Sequence, residues 1–159
     1  MNLAGPWHRE RVDDFLADAR IPVRVGCRTP NDDPWMVSLW YAWDGDALHC
    51  ATGADADLVD FLAHDDAVSF EVSTNAMPYR GVRGRGEATV TPDTDKQQLR
   101  GLLERYLGGT DNPLGERLLD PDREEVHIRI DPVRLRSWDF TGRMPEREAV
   151  EPSSGEKRE

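Results

Sequence analysis

The stretch Met77–Val90 constrains the fold of this chain more than any other. Three arginines and three glycines fill six of the seven positions from Arg80 to Gly86. From Tyr79 onward, bulky or charged residues alternate with small or apolar ones, which is the pattern of a strand with one buried face. Glycine inside a strand marks a bulge, a bend, or the close approach of a backbone or a ligand. The stretch predicts a bent barrel strand and leaves two interpretations open: its arginines are solvated, or the strand crosses a ligand site or a dimer seam.

Composition narrows the class of protein. A length of 159 residues fits one domain with its own core. The formal net charge of -11 argues against nucleic-acid binding, which needs a basic face. The acidic residues are spread along the chain, and Lys96 and Lys157 are its only lysines. This pattern favours a halophilic protein, one that works in salt high enough to screen the repulsion between its charges.

A cytoplasmic location is expected from three negative features. The first residues lack the basic and apolar regions of a signal peptide, and no apolar run is long enough to span a bilayer. Cys27 and Cys50 each lie in an apolar strand pattern and do not have the spacing of a zinc site, so we expect buried, reduced thiols.

Hydrophobic periodicity predicts a mostly β (α+β) domain over residues 1–144, with six antiparallel strands and a few covering helices. The strand patterns cover Pro22–Thr29, Trp35–Trp43, Ala47–Thr52, Ala67–Thr74, Tyr79–Thr91 and Val126–Ile130, the last resuming as Val133–Trp138. The helix patterns cover His8–Ala19, a segment from Asp55 or Asp57 to His64, a segment from Thr94 to Gly108-Gly109, and Leu114–Leu119. Residues 145–159 are expected to form a disordered acidic tail.

Four short stretches each predict a specific local structure. Trp35–Trp43 is predicted to be a central strand buried on both faces, and the first three strands to form a meander. Asp44-Gly45-Asp46 predicts a hairpin turn. Thr94 and Gln97 have the spacing of a capping box. Pro132 is expected to break the last strand.

No catalytic motif of a common hydrolase, nucleotide-binding or metal site is present. There is no GxSxG, no HExxH, no P-loop and no GxGxxG after a strand. No metal site and no specific catalytic residue are therefore predicted. The aromatic strand, the Thr52-Gly53 corner and the Arg-Gly strand could hold a flat anionic cofactor, with backbone groups on its ring edge and arginines on its phosphate or carboxylate. The alternative is that the aromatic residues simply fill the core.

Seven motifs occur in a recognisable order. They are Pro34 with Val37-Ser38-Leu39-Trp40-Tyr41, Trp43-Asp44-Gly45-Asp46, Leu48-His49-Cys50-Ala51-Thr52, Val68-Ser69-Phe70, Tyr79-Arg80-Gly81-Val82-Arg83, Arg105-Tyr106-Leu107-Gly108 and Arg136-Ser137-Trp138-Asp139. In this order the chain resembles the FMN-binding split β-barrel family of pyridoxamine 5'-phosphate oxidase-like proteins, which also includes deazaflavin (F420)-dependent reductases. The resemblance covers roughly residues 8–144.

The resemblance implies a split β-barrel that forms a homodimer, with two cofactor sites at the subunit seam. It implies hydride transfer to or from a small substrate, with FMN as the cofactor and F420 or haem as alternatives. The residues implied to contact the cofactor are Val37, Ser38, Leu39, Trp40, Thr52, Gly53, Arg80, Gly81 and Arg83, and Trp138, which reaches the partner's site.

One stretch departs from the family pattern. Many members hold the cofactor phosphate with a serine or arginine and then a lysine just after the Ala-Thr corner, where this chain has Gly53-Ala54-Asp55-Ala56-Asp57. Two carboxylates would repel a phosphate unless they are neutralised or turned outward. Four arginines could supply the positive charge instead: Arg24, Arg28, Arg80 and Arg83. The alternative is a non-catalytic barrel with a degenerate phosphate site, which binds haem, another ligand or nothing.

Overall fold

The structure is a computed structural model that describes residues 1–144, in which eight strands and four α-helices follow one another. The strands are β1 (Asn2–Ala4), β2 (Val23–Arg28), β3 (Pro34–Leu39), β4 (Ala42–Trp43), β5 (Leu48–Gly53), β6 (Ala67–Ser73), β7 (Arg80–Pro92) and β8 (Glu125–Asp139). The helices are α1 (Arg9–Asp18), α2 (Asp57–His64), α3 (Gln97–Leu107) and α4 (Pro113–Leu118). The tail predicted to be disordered, residues 145–159, lies outside the described residues.

All eight strands belong to one sheet, in the order β3-β2-β6-β7-β8-β5-β4, and β1 pairs in parallel with β8. Every other pair in this order is antiparallel. Because β3 approaches β5, the two ends of the order come together and the sheet curls into a barrel. The predicted fold class is confirmed. There are eight strands rather than six, because β1 and β4, with three and two residues, are too short to show a periodicity.

The barrel core is built from alternate residues of the strands, as the period-2 patterns predict. Its inward residues include Val23, Val25 and Cys27 of β2, Val68, Phe70 and Val72 of β6, and Ile128 and Ile130 of β8. The helix α1 adds Val12 and Leu16, both fully buried. Each aliphatic side chain buried in this way contributes about 1.5–3 kcal/mol to folding. The core therefore fixes which face of each strand is left on the outside.

The Arg-Gly strand packs closely against β8, and the pairing of the two strands is irregular. The register between β7 and β8 shifts between Arg85 and Gly86, and Val133 of β8 has no partner at that point. A side chain at Gly84 would lie 2.5 Å from the carbonyl oxygen of Arg134, so the two backbones approach too closely for a Cβ. The expectation that Pro132 breaks the last strand is wrong, because β8 continues through it and the bulge absorbs the irregularity.

The aromatic stretch does not form one central strand. It divides into β3 and β4, which lie at opposite ends of the sheet order, so the predicted meander is also wrong. Every second residue of β3 is exposed, and Met36 is 66% exposed. The apolar run predicted burial on both faces, but an edge strand on the barrel wall has only its inner face covered. Tyr41, between the two strands, is fully buried.

Two predicted helix caps are also wrong. The helix α2 has Ala56 at its N-cap and no side-chain cap, whereas Asp55 or Asp57 was expected to cap it. At α3 the capping box is replaced by Asp93, which is buried and whose two carboxylate oxygens accept the N–H groups of Gln98 and Leu99. The box fails because a short 3-10 turn precedes α3, so that Thr94 is too far from its first turn.

Other turn predictions are confirmed. Gly45 has a φ of 98° in the turn between β4 and β5, and Gly108 has a φ of 76° at the end of α3, both in the left-handed region that glycine favours. Among the helices described between residues 1 and 144, none is long and apolar enough to cross a membrane.

Candidate functional site

Five arginines gather on the outer side of the sheet: Arg24, Arg83, Arg85, Arg134 and Arg136. We call this surface the arginine face. They occupy two neighbouring rows that run across the strands. One row is Ser38, Arg24, Glu71, Arg83 and Arg136, and the next is Met36, Gly26, Ser69, Arg85 and Arg134. A cleft of about 460 Å³ lies over them.

Like charges face each other within the arginine face. Arg83 of β7 lies directly opposite Arg136 of β8, and Arg85 lies directly opposite Arg134. Directly opposed like charges destabilise a strand pair. Glu71 is the carboxylate in these two rows, and it accepts a hydrogen bond from the Ser73 hydroxyl at 2.8 Å.

Two N–H groups at this face are buried and lack an acceptor within residues 1–144. One is Nη1 of Arg24, whose Nη2 donates to Oδ1 of Asn75 at 3.2 Å. The other is Nε1 of Trp138, whose ring lies 5.2 Å from that of Phe140. Buried donors are almost always paired in folded proteins, so each of these groups calls for an explanation.

Four of the residues implied to contact the cofactor come together here. Ser38 and Arg83 lie in one row of the arginine face. Gly81 and Trp138 are paired with each other in the adjacent row of β7 and β8. Because residues two apart in a strand share a face, Gly81 and Trp138 lie on the same side of the sheet as Arg83. These positions belong to strands far apart in sequence, so only the pairing register brings them together.

Three others lie on the opposite side of the same strands. Val37 and Leu39 are paired with the buried Val25 and Val23, and so face the barrel interior. The alternation of β7 places Arg80 on the face opposite Arg83. Only the backbone groups of Val37 and Leu39 are therefore available to a ligand on the outer face.

Trp40 is held by the helix α3. Its ring stacks on Tyr106, with centroids 4.9 Å apart and an interplanar angle of 6°. The Tyr106 hydroxyl donates to the carbonyl of Ile21 at 3.0 Å and accepts the N–H of Tyr41 at 3.3 Å. This network fixes the chain where it crosses between β3 and β4.

Thr52 and Gly53 lie at the other end of the long strands from Gly81. They end β5, where Thr52 pairs with Val126, which in turn pairs with Pro92 at the end of β7. From Gly81 to Pro92 the strand advances eleven residues, which is about 36 Å at 3.3 Å per residue. The Thr52-Gly53 corner and the Gly81–Trp138 pair therefore lie at opposite ends of β7 and β8.

An arginine stands beside the Thr52-Gly53 corner that sequence reasoning missed. A side chain at Gly53 would lie 3.0 Å from Oδ1 of Asp55 and 3.8 Å from Nη2 of Arg123. Arg123 also donates to Oε1 of the buried Glu125 at 3.2 Å and 3.3 Å. Nothing in the sequence around Arg123 signals this contact. By contrast, the alternation of Arg134 and Arg136 in a strand pattern was a visible signal that both share one face.

Two histidines form a separate polar group between β5 and β8. Nδ1 of His49 lies 2.9 Å from Nε2 of His127, and Nε2 of His49 lies 2.7 Å from Oδ2 of Asp44. Although burial alone would raise the pKa of Asp44, hydrogen bonds from Ala47, Asp46 and His49 lower it to about 2. Burial, with the neighbouring His49, lowers the pKa of His127 below its ordinary value. The Asp44 carboxylate therefore accepts a hydrogen bond from the Nε2–H of His49.

The structure is a small antiparallel barrel with a polar cleft on its outer wall. The family model described as pyridoxamine 5'-phosphate oxidase matches residues 8–144, and the chain belongs to that family. The resemblance drawn from the sequence motifs is thereby confirmed. No curated protein matches the chain.

Solved structures share the fold at low identity. A conserved hypothetical protein of Mycobacterium tuberculosis is 24% identical with a TM-score of 0.71, and the match covers 94% of this chain and 96% of that one. A protein described as F420 reductase is 22% identical with a TM-score of 0.65, over 77% of this chain and 94% of that one. An FMN-binding protein of Nostoc punctiforme, related to pyridoxamine 5'-phosphate oxidase, is 13% identical with a TM-score of 0.58, over 89% and 88%. At these identities the likeness shows the fold alone.

Proposed function

We propose that this protein is an oxidoreductase that binds FMN or the deazaflavin F420 and transfers a hydride to or from a small substrate. One observation carries the proposal: Ser38, Gly81, Arg83 and Trp138 share one face of the sheet, on which Arg83 and four other arginines line a cleft. Family membership supports it. So do the descriptions of two structures with the same fold, one an F420 reductase and one an FMN-binding protein.

The groups on this face fit an anionic aromatic cofactor. A buried donor without an acceptor costs about 1–3 kcal/mol, and a ligand that accepts hydrogen bonds would remove that cost at Arg24 and Trp138. Guanidinium groups bind phosphate and carboxylate oxygens through paired hydrogen bonds. The donors present therefore match a ligand with an anionic end and a ring that carries acceptor atoms.

In this proposal the protein binds and orients, and the cofactor when bound supplies the hydride chemistry. Arg83 and Arg24 would hold the anionic group. The indole N–H of Trp138 would donate to an acceptor atom on the ring, and the exposed hydroxyl of Ser38 would add a further hydrogen bond on the same face.

We also propose that a second copy of the chain completes the site. The Thr52-Gly53 corner lies eleven residues along β7 from Gly81, and the resemblance implies cofactor sites at a subunit seam. A homodimer with cofactor sites at its seam would bring the corner of one subunit to the arginine face of the other. Sedimentation would test this: a monomer at micromolar concentration, in salt that keeps the protein folded, contradicts it.

The two aspartates after the corner support a rerouted anion site. Asp55 and Asp57 are both exposed, and Oδ1 of Asp55 lies beside Gly53. Arg123 stands at the same corner but is already paired with Glu125. A phosphate would therefore bind more favourably at the arginine face than at the start of α2.

The same aspartates favour a second candidate function. If no phosphate binds at the corner and none binds at the arginine face, the barrel would be a ligand-binding protein without redox turnover. Haem is the ligand to try first for this alternative, followed by other flat anionic molecules.

The deciding experiment is an absorption spectrum of the full chain as purified in high salt, with mass spectrometry of what denaturation releases. Titrations with FMN, F420 and haem follow on the colourless protein. The Arg83→Gln variant should bind the cofactor more weakly, whereas Arg117→Gln, an exposed arginine on α4, should bind it as the wild type does. A protein that takes up neither FMN nor F420 would contradict the oxidoreductase proposal, and haem uptake would favour the alternative.

The setting we propose is the cytoplasm of a cell with high internal salt. The net charge of -11 supports the salt requirement. Cys27 and Cys50 are both buried and unpaired with each other, and burial raises the pKa of the Cys50 thiol to about 12, which suits a reducing compartment. Equal free energies of unfolding at low and molar salt would contradict the salt requirement.

A further inference from the structure

Four of the five arginines form a compact square, which we call the arginine quartet: Arg83, Arg85, Arg134 and Arg136. The two cross-strand pairs lie on adjacent strands, about 5 Å apart across each pair and about 7 Å apart along the strands. Glu71 stands across β6 from Arg83, but none of the four arginines makes an ion pair or a side-chain hydrogen bond within residues 1–144.

Carboxylates are plentiful in the chain, which has 31 acidic residues against 20 lysines and arginines. Five arginines elsewhere in residues 1–144 form ion pairs with them: Arg9, Arg11, Arg28, Arg123 and Arg129. A protein rich in acid has thus placed four unpaired cations where they repel one another. A local arrangement that opposes stability is a sign of function when a ligand would reverse it.

The bulge in β8 is what brings the quartet onto one face. Gly86 pairs with Pro132 and Arg85 pairs with Arg134, which leaves Val133 as the extra residue. Side chains alternate between the two faces of a strand, and one extra residue reverses that alternation. Without Val133, Arg134 and Arg136 would therefore turn to the inner face of the sheet. The bulge therefore ends the quartet at one side, and Val133 remains 57% exposed at its edge.

The floor beside the quartet is free of bulky groups. Gly26 and Ser69 continue the row of Arg85 and Arg134 toward β2, and neither carries a bulky side chain. These small residues leave the cleft of about 460 Å³ open in front of the guanidinium groups. Arg24 lies at the far side of the same cleft with its unpaired Nη1.

We propose that the arginine quartet binds a multiply charged anionic group, of the kind found in a phosphate ester or an oligocarboxylate. The proposal deepens the proposed function, on which it rests, because it assigns the anion-binding part of that site. It predicts that a single negative charge is insufficient, since four guanidinium groups remain unbalanced. It also predicts that the quartet is destabilising until the anion is bound.

The test uses inorganic probes on the full chain. Binding of pyrophosphate, phosphate and citrate is measured by calorimetry and thermal unfolding, at constant ionic strength so that screening does not vary. Pyrophosphate or citrate should raise the unfolding temperature more than equal concentrations of chloride or phosphate, because ligand binding to the folded state stabilises it. A stronger effect of pyrophosphate than of citrate would point to a phosphate ester, and the reverse to an oligocarboxylate.

Charge-matched variants locate the effect. Arg83→Gln/Arg136→Gln should weaken pyrophosphate or citrate binding by about tenfold or more, and it should unfold at a higher temperature than the wild type without anion. The control is Arg100→Gln/Arg117→Gln, which removes the same charge from exposed positions on α3 and α4. Equal anion binding in the quartet variant and the control would overturn the proposal. So would a lower unfolding temperature of the anion-free quartet variant, because it would show a structural role instead.

The same variants separate this inference from the proposed function. A protein that binds pyrophosphate through the quartet but takes up neither FMN nor F420 would refute the proposed function and leave the anion site standing. A protein whose quartet variant binds FMN or F420 as tightly as the control would refute the anion site and leave the proposed function standing.

Discussion

Arg105 joins α3 to the end of α1, and its removal should destabilise the whole domain. Its Nη1 donates to the carbonyl of Ala17 at 2.6 Å, and its Nη2 donates to those of Ala19 at 2.7 Å and Leu16 at 3.2 Å. These carbonyls belong to the C-terminal turn of α1 and the residue after it, where a helix lacks partners for its last oxygens and carries partial negative charge. We predict that Arg105→Ala leaves all three without this partner.

The size of the effect follows from exposure and geometry. Hydrogen bonds from a charged donor contribute about 1.5–3 kcal/mol when buried, but Arg105 is half-buried and water can reach the freed carbonyls. We therefore assign about 1 kcal/mol to each of the two short bonds and about 0.5 kcal/mol to the charge at the helix end. The expected loss is about 2–3 kcal/mol, or about 5–10 °C in the unfolding temperature of a domain of this size.

Urea unfolding followed by tryptophan fluorescence would measure the loss. Arg105→Lys keeps the charge but cannot reach three carbonyls as a planar fork does, so it should lie between the wild type and Arg105→Ala. The matched control is Arg100→Ala, an exposed arginine of the same helix whose Nε donates to the carbonyl of Asp95. The reasoning is refuted if Arg105→Ala unfolds within about 0.5 kcal/mol of Arg100→Ala.

Three further predictions follow from the fold. Asp93→Ala should lower the free energy of unfolding by about 1–2 kcal/mol because two amides of α3 lose their cap, whereas Thr94→Ala should change it little. A larger loss in Thr94→Ala than in Asp93→Ala would instead support the capping box. Gly84→Ala should cost about 2–3 kcal/mol by overpacking, since the added methyl would meet a backbone oxygen at 2.5 Å, and wild-type stability would contradict that packing. The pKa of His127 lies below its ordinary 6.5 in the folded state, so the unfolded chain binds that proton more readily and stability should fall as pH drops below about 6.5. His127→Gln should flatten this slope between pH 7 and 5 while His8→Gln keeps it, and an equal slope in both variants would contradict the assignment.

Strand positions were predictable where one face is buried along a run of alternating residues. The strands β2 and β6 were predicted to within two residues because Val23, Val25, Val68 and Phe70 alternate with polar residues. The aromatic stretch Trp35–Trp43 was misjudged, because an apolar run does not reveal whether a strand lies at the edge or the centre of a sheet. That property depends on which other strands pair with it.

The caps of α2 and α3 failed for a local geometric reason. A capping box requires the helix to begin directly after its first residue, and the sequence does not show the 3-10 turn that delays α3 to Gln97. Asp93 was read as part of a turn that ends a strand, although its side chain serves the next helix. Spacing alone cannot distinguish these roles, because both use the same residue types.

The sequence by itself determined the family, the fold class and the glycine-rich strand β7, since each depends on residue order and periodicity along the chain. Only the tertiary structure decided which residues of different strands are neighbours. The pairing of Arg83 with Arg136 and of Arg85 with Arg134, and the separation of the Thr52-Gly53 corner from both, follow from the register of β7 against β8 and from one extra residue at Val133. Register is set by the packing of whole faces across the barrel, so no single stretch of the chain contains it.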